Sequence, residues 1–128
     1  MPKSPSLALI HVYDAIERVE LLRDLTVQDL DTDWLKRAAA ERMISILSEA
    51  TRRLKPEWKS RFPDVPWQDI AGLGSVLRHD YEQLDPSVIV KLRTEGHLDR
   101  LRTVVESLLD EIEPDWRRTR EERRHRWP

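Results

Sequence analysis

The 128-residue sequence contains no cysteine and only three glycines. Without cysteine there are no disulfides, no thiolate chemistry and no cysteine-based zinc site, and an intracellular location is expected. The few glycines form no phosphate-binding loop, and no serine nucleophile elbow is present. Because no Asn-Gly or Asp-Gly pair separates alternating runs of residues, the sequence does not predict β-hairpins.

Long hydrophobic runs are also missing. No apolar run approaches the roughly 18 residues that a membrane span needs. The N-terminal segment has only a short apolar patch before Asp14 and Glu17, and it lacks the small-residue cleavage site of a signal peptide. The length is typical of one domain, and the 39% hydrophobic content suits helices that bury one stripe each. We therefore expect a cytoplasmic, single-core protein without membrane contact.

Charge is distributed unevenly along the chain. Residues 114–128 hold six arginines against three acidic residues, a net of +3, whereas residues 1–113 hold 16 basic and 21 acidic residues, a net of −5. We predict a helical domain over residues 1–113 and an Arg/Trp-rich tail over residues 114–128. The tail is either a solvated surface segment or a weak RNA-binding element, because arginines attract phosphates and the rings of Trp116 and Trp127 can stack on bases. Its candidate RNA-binding residues are Arg117, Arg118, Arg120, Arg123 and Arg124.

Apolar residues recur every three or four positions, which is the period of an α-helix. The pattern predicts a first helix near residues 5–23 and a second from about Asp31 to Leu54. A proline-rich connector follows, then a third helix from Pro66-Trp67 to near Tyr81. A fourth runs from Asp85-Pro86 to about Thr94, and a fifth follows a break at Gly96 and ends at Pro114. The predicted fold is an all-α, four- to five-helix up-and-down bundle.

The predicted core consists of one apolar stripe on each of the long helices. The first helix contributes Leu9, Val12, Ile16 and Val19. The second contributes Leu35, Ala39, Met43, Ile46, Ala50 and Leu54. The third contributes Ile70, Leu73 and Leu77, with Trp67 packed at its start, and the fifth contributes Leu98, Leu101, Val105, Leu108 and Ile112.

Three segments, in order and in register over roughly residues 5–113, resemble the HepT-like family of the HEPN superfamily. They are ERMISILSEATRRL, with its Ser48-Glu49-Ala50 step, FPDVPWQDIAGL, and LRHDYEQLD, whose His79-Asp80-Tyr81 sits where the family has His-x-Tyr. The resemblance implies an HEPN-like bundle and a metal-independent ribonuclease that acts as a homodimer, with the two motif helices meeting across a two-fold axis.

In this family the chemistry depends on an arginine, four intervening residues, a histidine, one residue and a tyrosine. The resemblance implies that His79 transfers protons, since an imidazole titrates near neutral pH. The alternative is a helix-surface histidine. The motif arginine is missing, because the position five residues before His79 is Gly74. Arg78, one helical turn after Gly74, is the candidate substitute, or else a surface arginine paired with a nearby carboxylate.

Further residues take their expected roles from the same resemblance. Tyr81 matches the tyrosine that the cognate MNT-type nucleotidyltransferase antitoxin modifies with AMP, although a core or rim aromatic is the alternative. Ser75, Glu49 and Asp80 are supporting residues, and Glu49 either pairs with a basic group of the motif helix or is solvated. We expect no cofactor, and no metal site is predicted because His11, His97 and His125 lack metal-ligand spacing.

Three functions remain open on this reading. The first is the ribonuclease toxin of a type VII-like toxin–antitoxin system, with activity weak or lost because of Gly74. The second is a non-catalytic helical dimer that binds a nucleotidyltransferase antitoxin or RNA. The third is an RNA-binding protein that uses the basic tail without cleaving.

Overall fold

The computed structural model describes residues 5–79 and 96–124, with the side chains of residues 5–73 and 96–123. Within these two ranges all regular structure is α-helical, which confirms the predicted all-α fold. The predicted fourth helix, Asp85 to Thr94, lies outside the described residues. The helices are α1 (Pro5–Glu20), α2 (Val27–Thr32), α3 (Trp34–Arg52), α4 (Pro56–Arg61), α5 (Trp67–His79), α6 (His97–Ile112) and α7 (Trp116–Arg124).

Helix α1 lies at the centre of the described bundle, where it packs against α3, α6 and α7. Its predicted stripe of Leu9, Val12, Ile16 and Val19 is fully buried, and the helix ends at Glu20 in a series of turns rather than near residue 23. Helix α3 in turn packs against α1, α2 and α5. The bundle core is therefore built outward from α1, and α3 connects it to α5.

Helix α6 confirms most of its predicted stripe. Leu98, Leu101, Val105 and Leu108 are all buried, together with Val104 and Leu109 on either side of that line. Ile112 was predicted to be buried but is 39% exposed, because it is the last residue of the helix. Gly96 precedes α6 with φ of 78°, a left-handed conformation that glycine adopts without a steric penalty, and α6 starts directly after it, as predicted.

The predicted second helix begins later than Asp31, at Trp34, and a separate short helix, α2, precedes it. Helix α2 begins in a capping box, in which Thr26 Oγ1 accepts a hydrogen bond from the Asp29 amide and Asp29 Oδ2 accepts one from the Thr26 amide. Asp33 then adopts an extended backbone and its carboxylate accepts hydrogen bonds from the amides of Leu35 and Lys36. Asp33 therefore caps α3 and separates it from α2, so α3 starts after the predicted position of about Asp31.

The stripe predicted for this region was also wrong at its N-terminal end. Leu35 is 63% exposed, and Ala39 is exposed as well. The buried line runs one residue later, because α3 must contact α1 on one side and α5 on the other. It consists of Ala40, Ile44, Leu47, Ser48 and Thr51, and it is joined at the C-terminal end by the predicted Ala50 and Leu54.

The proline-rich connector contains the short helix α4, with Pro56 in its first turn. Over residues 5–79 and 96–124, no helix has the length and apolar character needed to span a bilayer. In the same ranges, no cluster of three or more histidine, aspartate or glutamate side chains is placed to hold a metal ion.

Candidate functional site

Helix α5 carries the predicted motif, and a packed tryptophan fixes where it begins. Nε1 of Trp67 donates a hydrogen bond of 2.9 Å to the carbonyl oxygen of Phe62. Ile70, one turn further along, is 1% exposed. The prediction that Trp67 packs at the start of this helix is confirmed, and these contacts hold the first turn of α5 against the rest of the bundle.

The predicted catalytic positions lie in the last turns of α5. Gly74, Ser75, Arg78 and His79 all have helical backbone. In an ideal helix, positions 74 and 78 differ by about 40° around the axis and about 6 Å along it, so they share one face. The side chains of these four residues, and Asp80 and Tyr81 entirely, lie outside the described residues. The roles assigned to them stay predictions.

One main-chain oxygen of α5 receives two side chains from α3. Ser48 Oγ donates a hydrogen bond of 2.7 Å to the carbonyl oxygen of Ala71, and Nη2 of Arg52 donates one of 2.8 Å to the same atom. Ser48 is 1% exposed, whereas the Arg52 side chain is 44% exposed. The buried hydroxyl thus acts inside the α3–α5 interface, and the guanidinium lies at its solvent edge.

Glu49 lies between these two residues in sequence, and its side chain is 42% exposed. Its carboxylate is 3.9 Å from Nη1 of Arg52 and 3.7 Å from Nη2 of Arg53, both on its own helix. These pairs are loose and exposed, so each contributes little to stability. They place one carboxylate beside two arginines near the end of α3.

The C-terminal end of α3 collects further positive charge. We call Arg52, Arg53, Lys55 and Lys59 the α3 basic end. Nζ of Lys59 is 3.4 Å from the carbonyl oxygen of Arg52, and partial burial, together with the positive charge of Arg52, lowers the pKa of the Lys59 ammonium group. Cations near a helix C-terminus also interact favourably with the helix dipole.

The predicted tail begins as a helix that packs on the body. Trp116 is 1% exposed, and its ring meets that of Tyr13 edge-on at 5.0 Å between centroids. Burial, followed by the negative charges of Glu17 and Glu106, raises the pKa of Tyr13. A tryptophan buried to this extent is a core residue, so Trp116 is not available to stack on RNA bases. Trp127 lies outside the described residues.

Two of the tail arginines are paired with the acidic body. Nε of Arg120 donates a hydrogen bond of 2.6 Å to Asp14, and its Nη2 contacts the carboxylate of Glu17. Arg117 bonds to Asp110 at 3.0 Å and to Glu106 at 3.3 Å.

The other described tail arginines face solvent. The side chain of Arg118 is 73% exposed beside Asp115, and Arg123 is exposed as well. Of Arg124, only the backbone is described. RNA binding by this segment stays a prediction.

Sequence reasoning did not identify the Ser48 and Arg52 contacts with Ala71. Both residues lie in the segment that resembles the family, but their acceptor is a main-chain carbonyl 23 and 19 positions away. Every residue has a main-chain carbonyl, so the identity of residue 71 does not reveal that its carbonyl accepts these bonds. The only available signal was the Ser48–Arg52 spacing of four, which places both residues on one face of α3.

A family model described as "Ribonuclease HepT-like" matches residues 12–108. This range is more than half of the chain and includes the α5 motif positions. The chain belongs to the HepT-like ribonuclease family, which confirms the resemblance.

Individual relatives agree with the family. "Probable ribonuclease HepT" of Thermococcus cleftensis is 28% identical over 109 residues, which cover 80% of this chain and 99% of that protein. "Putative RNase MJ1380" of Methanocaldococcus jannaschii is 28% identical over 85 residues, covering 63% of this chain and 78% of the relative. "Putative RNase TTE0752" of Caldanaerobacter subterraneus is 30% identical over 80 residues, covering 62% and 71%. No solved structure matches significantly.

Proposed function

We propose that this chain is the ribonuclease component of a toxin–antitoxin pair of the MNT/HEPN type, and that its ribonuclease activity is weak or lost. The observation that carries the proposal is the HepT-like match over residues 12–108, which spans a motif helix ending at His79. Relatives named as ribonucleases support the reaction class. Gly74, in place of the motif arginine, is the reason for the reduced activity.

The chemistry assigned to the site needs no metal. Cleavage of a phosphodiester requires a group that moves protons and a cation that stabilises the charge developing on the phosphate. His79 supplies the first function, because its imidazole can accept and donate a proton near neutral pH. If His79 were a surface histidine without a catalytic role, its replacement would leave the rate of RNA cleavage unchanged.

The cation is the weak part of the site. Gly74 offers no side chain, and Arg78 follows it by one turn on the same helical face. Because helical side chains in general lean toward the N-terminus, we expect an arginine at position 78 to reach back toward position 74. Arg78 is thus the proposed substitute on the motif helix itself, and Ser75, Glu49 and Asp80 are the proposed supporting residues of the site.

The ribonuclease assay tests these assignments directly. Purified wild-type protein and an Arg78→Ala variant are incubated with RNA in EDTA, and product formation is followed over time. We expect slow cleavage by the wild type and slower cleavage by the variant. Rapid cleavage by the wild type would refute the weakened site, and cleavage unaffected by the substitution would refute the role of Arg78.

We propose a homodimer as the working form, in which the two α5 helices face each other and the two His79 positions line one RNA-sized groove. The family resemblance supports this arrangement. Light scattering coupled to gel filtration measures the mass in solution. A mass of two chains is expected, and a monomer at micromolar concentration would overturn the shared groove.

Tyr81 is the proposed site of AMP transfer by an MNT-type nucleotidyltransferase antitoxin. Adenylylation next to the motif histidine would add a bulky anion where RNA phosphates must bind, and so silence the site. Co-expression with an MNT-type nucleotidyltransferase, followed by mass spectrometry, should detect the adduct on Tyr81. Unmodified Tyr81 after co-expression would refute the switch.

Gly74 also favours a second candidate function, in which the helical dimer binds the antitoxin or RNA without cleaving. The two candidates differ in the EDTA assay. Binding without any cleavage, unchanged by replacement of His79, would favour the non-catalytic module.

A further inference from the structure

We propose that Arg52, from α3, is a phosphate-binding residue that supplies RNA with the cation missing at Gly74. The inference rests on the proposed function, since it names the group that contacts the RNA backbone. It differs from the assignment of Arg78 because the cation comes from a neighbouring helix rather than from the motif helix.

The position of Arg52 follows from its hydrogen bond to the α5 backbone. Its Nη2 lies 2.8 Å from the carbonyl oxygen of Ala71. Position 74 follows Ala71 by three residues, which in an ideal helix is about 60° around the axis and about 4.5 Å along it. Because helical carbonyls point toward the C-terminus, the Ala71 oxygen faces the turn that contains Gly74. The guanidinium is therefore held within about one turn of the bare position.

The predicted proton-transfer position lies further along α5 than the Arg52 contact, so a strand of RNA rather than a single phosphodiester would span the two. Position 79 follows Ala71 by eight residues, about 80° around the axis and about 12 Å along it. The carbonyl oxygen extends toward position 79, and an arginine side chain bonded to it reaches further into solvent. RNA lying along this side of α5 would meet Arg52 first and the position of His79 about two turns later.

The guanidinium has capacity for a second ligand. Arginine carries five N–H donors, and Nη2 of Arg52 donates to the carbonyl oxygen of Ala71. Among the residues with described side chains, the nearest carboxylate oxygen is on Glu49, 3.9 Å from Nη1, which is too far for a hydrogen bond. With 44% of the side chain exposed, solvent and a phosphate can reach it. The bond to Ala71 also fixes the group in place before RNA arrives.

The surrounding charge is favourable to an anion. The α3 basic end places Arg53, 61% exposed, and Lys59 next to Arg52. The lowered pKa of Lys59, caused by burial and then by Arg52, agrees with a local excess of positive charge. Glu49 neutralises part of this excess, but it stands 3.7 to 3.9 Å from the two arginines in an exposed setting. Phosphates of single-stranded RNA are the anions that such a surface attracts.

A purely structural role predicts something different. If Arg52 only joined α3 to α5, its loss would lower thermal stability without changing how RNA binding responds to salt. Ser48 already makes the buried bond to the same oxygen, so the fold retains that contact when Arg52 is replaced. A phosphate contact instead contributes to the slope of log affinity against log salt, by about 0.7 per contact for single strands.

The test measures binding of a fluorescently labelled, mixed-sequence single-stranded RNA by anisotropy from low to moderate salt. The full chain is compared as wild type, Arg52→Gln, Arg52→Lys and Arg42→Gln. Arg42 is an exposed residue of the same helix ten positions earlier, so it controls for the loss of one charge. Melting temperatures are recorded for each variant.

We expect Arg52→Gln to weaken binding about tenfold at low salt and to reduce the slope by about 0.7. Arg52→Lys should keep most of the slope, and Arg42→Gln should change affinity less than about twofold. Wild-type slope and affinity in Arg52→Gln would overturn the inference and leave the proposed function standing. Weaker binding with an unchanged slope and a lowered melting temperature would assign Arg52 a structural role only. A wild type that binds no RNA would overturn the proposed function as well.

Discussion

Nε1 of Trp116 donates a hydrogen bond of 2.8 Å to Oδ1 of Asp110, and so joins the first residue of α7 to the last turn of α6. The same carboxylate oxygen accepts a bond of 3.0 Å from Arg117. The indole ring is buried against Tyr13 of α1. The segment that composition identifies as a basic tail is therefore anchored at its start by an apolar side chain with one satisfied polar atom.

Replacing this anchor should destabilise the whole bundle. Trp116→Ala removes a fully buried ring and leaves a cavity between α1 and α6, so we expect a loss of about 3–5 kcal/mol in the free energy of unfolding. Urea denaturation followed by far-UV circular dichroism measures it. Trp34→Ala is the matched control, since Trp34 is 74% exposed and its loss should cost less than about 0.5 kcal/mol. Equal effects of the two substitutions would contradict the burial of Trp116.

Arg120 should matter for stability far more than its neighbour Arg118. Its side chain is 13% exposed and is bonded to Asp14 and Glu17, so Arg120→Met leaves two carboxylates without their partner. We expect a loss of about 1–3 kcal/mol, reduced from that of a fully buried pair because both carboxylates reach solvent. Arg118→Gln, at a position 73% exposed, should change stability by less than about 0.5 kcal/mol. Thermal melts that show no difference between the variants would argue against the pairing.

Asp110 should give the protein a specific sensitivity to acid. Hydrogen bonds from Trp116 and then Arg117 lower the pKa of its carboxyl group below the ordinary value of 3.8. A lowered folded-state pKa contributes stability above pH 3.8 and loses it as the pH falls through the folded value. Asp110→Asn should therefore be less stable than wild type at pH 7, with the difference shrinking below about pH 4. A difference that stays constant from pH 7 to pH 3 would show that the charge of Asp110 does not matter.

The sequence predicted most of the buried residues of α1 and α6 because apolar residues recur there at the helical period and lie in the core. It failed at the N-terminal end of α3, where Leu35 and Ala39 fit the period yet remain exposed. The choice between Asp31 and Asp33 as the cap could not be made from residue type, since either carboxylate can accept the amide bonds. The position of the cap depends on which residue adopts an extended backbone, and that residue is Asp33.

The candidate site also has features that the sequence predicted and features that only the structure revealed. The resemblance located the motif helix and its missing arginine, because both are matters of residue identity and spacing. The contact of Arg52 with Ala71 depends on how α3 crosses α5, and it ends on a backbone atom that every residue possesses. Composition likewise gives the number of tail arginines, but it does not reveal that Arg117 bonds to a carboxylate of α6 and Arg120 to one of α1.

Restoring the missing arginine tests the central claim most directly. Gly74→Arg rebuilds the motif spacing with His79, whereas Gly72→Arg adds the same side chain to the same helix two positions earlier, where a Cβ atom meets nothing within 4 Å. RNA cleavage is followed in EDTA for wild type and both variants, with melting temperatures to confirm folding. One well-placed donor contributes about a hundredfold or more to such reactions, so we expect at least a tenfold gain for Gly74→Arg alone. A folded Gly74→Arg protein that cleaves no faster than wild type, or a gain shared by Gly72→Arg, would contradict the account.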